Sequence, residues 1–349
     1  GGTLTDLVSW HWIFYVNIPI GLVSLFVLAR LLPTIKRPDA TRNLDIPGAI
    51  VFSIAISLFL VGLTNKQTAD WSDPWVGGLI AAAAVLGALF VFIESRAKEP
   101  IVPLGLFRLR TFTIAVIASF FAAFGFFAAV VFLPRWFQVV GGASATESGY
   151  NILPLLFGLI FSAIASGQIV ARTGRYKWLV VGSMLVLAVG LWMLTNLHAN
   201  TERPILWLWM LITGLGVGPA FAVFTLIVQN AVSVRQVGVA TASVGFFQQI
   251  GGTVGLTLAG TIFASRLTSE IPTQLLAAGL PQQMVDAFAA AGGSLDLTGI
   301  GDLGAAILAA TPAQFQPVVA PLIPAIVHGI YEAVSLGIAG TFWIGIGGA

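Results

Sequence analysis

Hydrophobic and polar positions are sorted into long blocks along this chain, with the charged residues gathered in the gaps between apolar blocks. Each apolar block is about as long as the roughly 20 residues that an α-helix needs to cross a bilayer. The pattern predicts nine transmembrane helices, over residues 12–31, 46–64, 76–95, 111–134, 149–171, 177–197, 204–229, 239–264 and 327–347.

Trp and Tyr residues gather at the ends of these blocks, as is typical of side chains at the lipid headgroup level. The set is Trp10, Trp12, Tyr15, Trp71, Trp75, Trp136, Tyr150, Tyr176, Trp178, Trp207 and Trp209. The 349-residue chain is 57% hydrophobic and 9% charged, whereas soluble domains carry about 25% charged residues. We therefore predict an all-α fold, a polytopic transmembrane helical bundle, and exclude a soluble domain.

The Lys and Arg residues alternate between rich and poor gaps. The first, third, fifth and seventh gaps hold four, four, three and one of them, and each even gap holds one. Because cytoplasmic loops carry the excess of basic residues, the odd gaps are predicted to be cytoplasmic. The C-terminus is then cytoplasmic, and the long gap over 265–326 lies outside the plasma membrane. The seventh gap, with Arg235 alone, gives the weakest signal.

The 265–326 gap contains apolar residues at helical spacing. Two short amphipathic helices are predicted there on the outer surface, near 275–288 and 303–308, with breaks at Gly292-Gly293 and Pro312. The segment is either a plain extracellular loop or a lid over a substrate site.

Residue types exclude several other functions. The net charge of +2 is spread over separate loops, whereas a nucleic-acid-binding face concentrates basic residues. There is no Cys, and the three His are far apart, so no metal site and no cofactor are predicted. No His/Asp set or carboxylate pair shares one depth, so an enzyme or receptor is the less favoured class. Both ends look cut, and a fragment of a longer protein is expected.

The most specific segment runs from Gly167 to Lys177, between two predicted helices. Gly174 can adopt the positive φ that a tight turn needs. Arg172 and Arg175 can bond the last carbonyls of the preceding helix or an acid on a neighbouring helix, or simply anchor the loop in the cytoplasm. The segment resembles the cytoplasmic signature loop of the major facilitator superfamily, which implies a latch between conformational states.

Three further segments resemble the fourteen-helix drug:proton antiporter branch of that superfamily. They are Gly1-Gly2 with the Trp-rich run over 10–21, the run over 133–154 that includes Gln138, and the run over 228–252. The resemblance implies that Gly1 and Gly2 end an antiporter signature. Three residues depart from the branch pattern: Arg135-Trp136 replaces an uncharged pair, and Gln248 stands where many relatives carry Arg.

The same resemblance implies a division of the chain into three parts. Residues 1–31 would contribute the last helix of the N-terminal bundle. Residues 32–110 would hold two linker transmembrane helices, and residues 111–349 the C-terminal six-helix bundle.

Polar residues at membrane depth are costly and tend to be functional. Gln248 and Gln249 lie about ten residues into their predicted helix; they either line the central cavity or bond across a helix contact that Gly251-x-x-x-Gly255 permits. Glu332 is either a proton carrier on the outer half or an acid that reaches the interface.

Other residues are assigned to the pathway or to gating. Glu147 and Arg135 either pair as an extracellular gate or stay unpaired at the rim, and Asn151 either lines the cavity mouth or caps its helix. Phe120, Phe124 and Phe127 either form an aromatic cavity wall or face lipid. Gly218-Pro219 is predicted to loosen its helix near a transport site.

We predict a secondary transporter that exports amphipathic drugs or metabolites in exchange for protons by alternating access. The expected partners are the lipid bilayer, a small amphipathic substrate and protons. The alternative is an exporter or permease for one solute, such as a lipid precursor, siderophore or sugar, on the same scaffold.

Overall fold

The computed structural model describes residues 2–31, 45–66, 69–97, 100–102, 104–234, 236–283, 285–286, 303–311 and 316–349. Within that part of the chain, nine helices are long and apolar enough to cross a membrane. They are Trp12–Leu31, Ile46–Asn65, Pro74–Arg96, Arg110–Val139, Ala145–Thr173, Lys177–Leu194, Arg203–Ala231, Val237–Ala277 and Ala320–Gly348. The predicted helical membrane fold is confirmed.

The first elements are α1 (Gly2–Leu7), α2 (Trp12–Tyr15) and α3 (Asn17–Leu31), and the side chains of α3 are exposed along its length. Next come α4 (Ile46–Asn65) and α5 (Leu79–Arg96), which pack against each other and are joined through a π-helical turn over Pro74–Gly78. Asp45 caps α4, because its Oδ1 accepts a hydrogen bond from the Gly48 amide at 2.9 Å.

The remaining helices form one packed bundle, entered through a 3₁₀ turn over Leu104–Arg108. They are α6 (Arg110–Val139), α7 (Ala145–Asn151), α8 (Leu153–Thr173), α9 (Lys177–Leu194), α10 (Arg203–Ala231), α11 (Val237–Ala277), α12 (Leu303–Ala310), α13 (Gln316–Val319) and α14 (Ile323–Gly348). In this bundle α10 lies against α8 and α9, while α11 lies against α6 and α14.

Two helices continue beyond their predicted ends. The helix predicted to end at residue 134 reaches Val139, because Pro134 only removes one amide and the chain stays helical around it. Trp136, placed by the sequence in the interfacial belt, is therefore inside the bundle at 3% exposure. Its indole Nε1 donates to Ser335 Oγ on α14 at 2.8 Å.

The helix predicted to end at residue 264 continues to Ala277, so the predicted 265–326 loop begins as part of α11. Ile271 and Leu275 on this extension are buried, and Gly329 at the start of α14 lies against Gln274. This packing supports a helix that hydropathy alone does not indicate. The helix predicted near 303–308 is present as α12, and it packs against α14.

Some predicted features lie outside the described residues. These are Gly1, Arg235, residues 284 and 287–288 of the helix predicted near 275–288, the Gly292-Gly293 break and Pro312.

Candidate functional site

Predicted pathway and gate residues gather at the end of the bundle where α6 ends and α7 begins, here called the α7 end. Gln138 of α6 donates from Nε2 to Ser148 Oγ of α7 at 2.8 Å. Asn151 is 8% exposed, and its Oδ1 accepts from Trp207 Nε1 of α10 at 3.1 Å. Its Nδ2 donates to the Glu147 carbonyl at 3.0 Å. Asn151 thus bridges α7 and α10 rather than capping its helix.

The N-terminal segment touches this same end. A Cβ on Gly2 would lie 2.3 Å from the Ala145 carbonyl oxygen, so only glycine permits this approach of α1 to α7. The Thr146 amide donates to Asp6 Oδ2 at 2.8 Å. Hydrogen bonds from the Thr146 side chain and backbone lower the pKa of the Asp6 carboxyl below its ordinary value. The sequence did not predict a role for Asp6, because its partner Thr146 is 140 residues away and the residues around Asp6 do not indicate this contact.

The predicted Arg135–Glu147 gate is not formed among the described residues. Glu147 completes a capping box at α7: its amide donates to Ser144 Oγ at 3.2 Å, and its Oε2 accepts from the Ser144 amide at 3.3 Å. The Arg135 guanidinium lies over the Phe263 ring, 5.2 Å from the centroid. Glu147 therefore has a local partner in its own cap, and Arg135 has a cation–π partner on α11.

Glu332 has partners that the sequence did not indicate. Its Oε1 lies 2.5 Å from His198 Nδ1, and its Oε2 accepts from the Ala199 amide at 2.8 Å. The Glu332 side chain is 18% exposed and that of His198 is 50% exposed. The carboxylate therefore joins the last helix, α14, to the connection between α9 and α10 at the α7 end.

The aromatic run of α6 meets the glycines of α11. A Cβ on Gly251 would lie 2.2 Å from the Phe120 carbonyl oxygen, and one on Gly255 would lie 2.7 Å from the Phe124 Cα. Phe124 is 6% exposed, so its ring is buried in this contact. The predicted close approach at Gly251-x-x-x-Gly255 is confirmed, and Phe120 and Phe124 are its partners.

Phe127 and the two glutamines border the same contact. The Phe127 ring lies against Gly252, with 2.5 Å from its Cδ2 to the position of a Cβ there. Gln248 Nε2 is buried and has no hydrogen-bond partner among the described residues, whereas Gln249 is exposed. A buried amide without a partner is costly, so Gln248 is the stronger candidate for contact with a bound molecule.

The Gly218-Pro219 pair lies inside an unbroken helix, α10, and both residues are buried. A Cβ on Gly218 would lie 2.1 Å from Ser162 Oγ, and one on Gly214 would lie 2.1 Å from the Leu155 carbonyl oxygen. The predicted loosening of this helix stays a prediction, since α10 runs unbroken through the pair. These glycines bring α8 and α10 into close contact.

The turn at the opposite end of the bundle agrees with its predicted geometry. Gly174 has φ of +66°, and its amide donates to the Val170 carbonyl at 2.8 Å, which closes α8. Arg172 and Arg175 are exposed, and Gly167 has open space on its Cβ side. Both guanidinium groups are therefore accessible to a partner beyond this turn.

Glu94 is a buried acid in the last turn of α5. It is 2% exposed, and its Oε1 accepts from the Val102 amide at 3.2 Å. Its Oε2 has no hydrogen-bond partner among the described residues. Glu94 is buried because the chain beyond α5 folds back towards that helix. The residues around Glu94 in the sequence do not indicate this contact.

Together, the membrane-spanning helices and the polar contacts between them define a polytopic helical membrane protein. A sequence model of the Major Facilitator Superfamily matches residues 1–256. The chain belongs to that superfamily.

Similar curated proteins carry names connected with export. The chain is 34% identical over 277 residues to "Multidrug transporter protein MdtP" of Bacillus subtilis, covering 79% of this chain and 51% of that protein. It is 32% identical over 282 residues to "Tetracenomycin C resistance and export protein" of Streptomyces glaucescens, covering 81% and 52%. The resemblance to the multidrug-efflux branch is thus confirmed. The chain spans about half the length of these relatives.

Proposed function

We propose that the protein exports amphipathic compounds in exchange for protons by alternating access. Similarity to proteins named as multidrug and tetracenomycin C exporters supports an export function. The observation that carries the proton-coupled part is the contact of Glu332 with His198 and the Ala199 amide.

Protonation of Glu332 changes that contact directly. An ionised carboxylate is an acceptor at both oxygens, and it binds a protonated His strongly. A protonated carboxyl loses one of those acceptor positions and the attraction to an imidazolium. Proton binding therefore weakens the link between α14 and the connection that joins α9 to α10. In this way a proton can change how the helices of the bundle pack.

In this proposal the α7 end faces outwards and the C-terminus is cytoplasmic, as the basic residues of the loops favour. The membrane is the plasma membrane, and protons reach Glu332 from outside. Residues 1–31 belong to the N-terminal bundle, 32–110 hold the linker helices, and 111–349 form the C-terminal bundle.

The contact of Gly2 and Asp6 with the start of α7 then joins the two bundles on the outer side. Outward release of substrate requires this contact to separate. At the cytoplasmic end, Arg172 and Arg175 are accessible to the other bundle, and Gly174 fixes the turn that presents them. Rocking about the two ends exposes a central site bordered by Gln248 and Phe120.

The test uses the full-length protein in proteoliposomes, with tetraphenylphosphonium as substrate and an imposed pH gradient. Glu332→Gln is expected to abolish gradient-driven transport while substrate binding persists. Glu270→Gln is the matched control, because Glu270 is an acid on the extension of α11, outside the His198 contact. Wild-type transport by Glu332→Gln would remove Glu332 from the coupling mechanism.

A further inference from the structure

A cavity of about 530 Å³ opens at the α7 end, between the α4–α5 connection and α11. None of the residues assigned above to transport lines it. Its polar lining consists of Lys66, Thr261, Ser265, Thr268 and Ser269, and Trp71 adds an aromatic ring.

Lys66 directs a positive charge into this space. Its side chain is 21% exposed, and its Nζ donates to the Ala69 carbonyl at 3.1 Å, which occupies one of three N–H donors. The Trp71 ring centroid is 5.6 Å from Nζ. Asp70 lies 4.0 Å away but is 94% exposed, so water screens it and it competes weakly for the ammonium group. The remaining donors suit an anionic oxygen.

The cavity lies at the depth of lipid headgroups. The 20 residues of α4 span about 30 Å at 1.5 Å per residue, which is the thickness of the hydrocarbon core. Lys66 follows directly after α4, so it is level with the phosphates of the adjacent leaflet. Trp71 is 60% exposed, and Trp is enriched at that depth.

An apolar groove of about 300 Å³ lies deeper, between α4 and α5, and includes Phe52, Phe59, Ile80 and Phe90. Phe52, Phe59 and Lys66 recur at intervals of seven residues, so they share one face of α4. A charged, hydroxyl-rich cavity above an apolar groove is chemically complementary to a molecule with an anionic head and a long hydrocarbon tail.

We propose that this cavity binds a membrane phospholipid. Lys66 donates to the phosphate oxygens, and the Ser265 and Ser269 hydroxyls lie beside the same headgroup. An acyl chain packs along Phe52 and Phe59 in the groove. Inorganic phosphate would use the same polar contacts but would gain nothing from the groove, so the lipid is the occupant.

The test measures lipid adducts on the delipidated full-length protein by native mass spectrometry. The probes are phosphatidylglycerol, diacylglycerol without phosphate, and inorganic phosphate as a competitor. Lys66→Gln removes the charge, and Ser265→Leu fills the cavity while Lys66 stays. Lys177→Gln is the control, because Lys177 also lies over a Trp ring, at 5.7 Å from Trp178, but not in this cavity.

The wild-type protein is expected to bind one phosphatidylglycerol more tightly than further copies and more tightly than diacylglycerol. Lys66→Gln should weaken that binding about tenfold, as expected for the loss of one charge-assisted contact. Ser265→Leu should weaken it by filling the space of the headgroup, while Lys177→Gln should not change it. Three results would each overturn the proposal: equal binding by Lys66→Gln and wild type, equal binding of diacylglycerol, or displacement of the lipid by millimolar phosphate.

Discussion

The contact between α6 and α11 gives the sharpest test of the packing. A Cβ on Gly251 would lie 2.2 Å from the Phe120 carbonyl oxygen and 2.9 Å from its Cα, whereas ordinary contact begins at 3.4 Å. These are backbone atoms that no rotamer change can move aside. In Gly251→Ala the two helices must therefore separate by about 1 Å, and overpacking of this kind costs about 1–3 kcal/mol.

The measurement is thermal unfolding of the purified full-length protein in detergent, with tetraphenylphosphonium transport as a second readout. Gly251→Ala is expected to lower the Tm by several degrees and to slow transport, because Phe120 borders the proposed central site. Gly245→Ala is the matched control, since it lies on the same helix with nothing within 4 Å of its Cβ position. Equal Tm values for the two variants would refute the close contact.

Three further predictions concern contacts elsewhere in the chain. The hydrogen bonds from Thr146 lower the pKa of Asp6, so this contact persists at neutral pH and is lost as the pH falls through the lowered pKa. Hydrogen exchange of the Thr146 amide should therefore become faster in acid. Asp6→Asn should not show this pH dependence. Glu94→Gln should keep the Tm or raise it, because it retains a hydrogen-bond acceptor and removes a buried charge. Glu94→Leu leaves the Val102 amide without an acceptor, which costs about 1–3 kcal/mol. Equal Tm values for the two variants would contradict this role of Glu94. Gly174→Ala forces φ of +66° on a residue with a Cβ, at a cost of about 1–2 kcal/mol. Gly167→Ala, inside α8 with open space at its Cβ position, should keep or raise the Tm in the same unfolding assay.

The positions of the membrane helices could be predicted because hydropathy is a local property. Helix ends were less predictable, since they also depend on tertiary contacts. The extension of α11 to Ala277 is polar enough to look like a loop, and burial of Ile271 and Leu275 stabilises it. Pro134 resembles a helix stop, yet the residues after it are held inside the bundle by Trp136.

In the candidate site, too, features set by local chemistry could be predicted and those set by tertiary contacts could not. The positive φ of Gly174 and the close approach at Gly251 follow from glycine chemistry and were predicted. The partners of Glu332 could not be, because His198 is 134 residues away in the sequence. The opposite charges of Arg135 and Glu147 predicted an ion pair, but Glu147 instead caps α7 through Ser144.

Proton release on substrate binding is the measurement that tests the proposed proton coupling through Glu332. The full-length protein in weakly buffered detergent is mixed with tetraphenylphosphonium while a pH indicator records free protons. The wild type should release protons when substrate binds, and Glu332→Gln should bind substrate without release. Equal proton release by Glu332→Gln and wild type would contradict the claim.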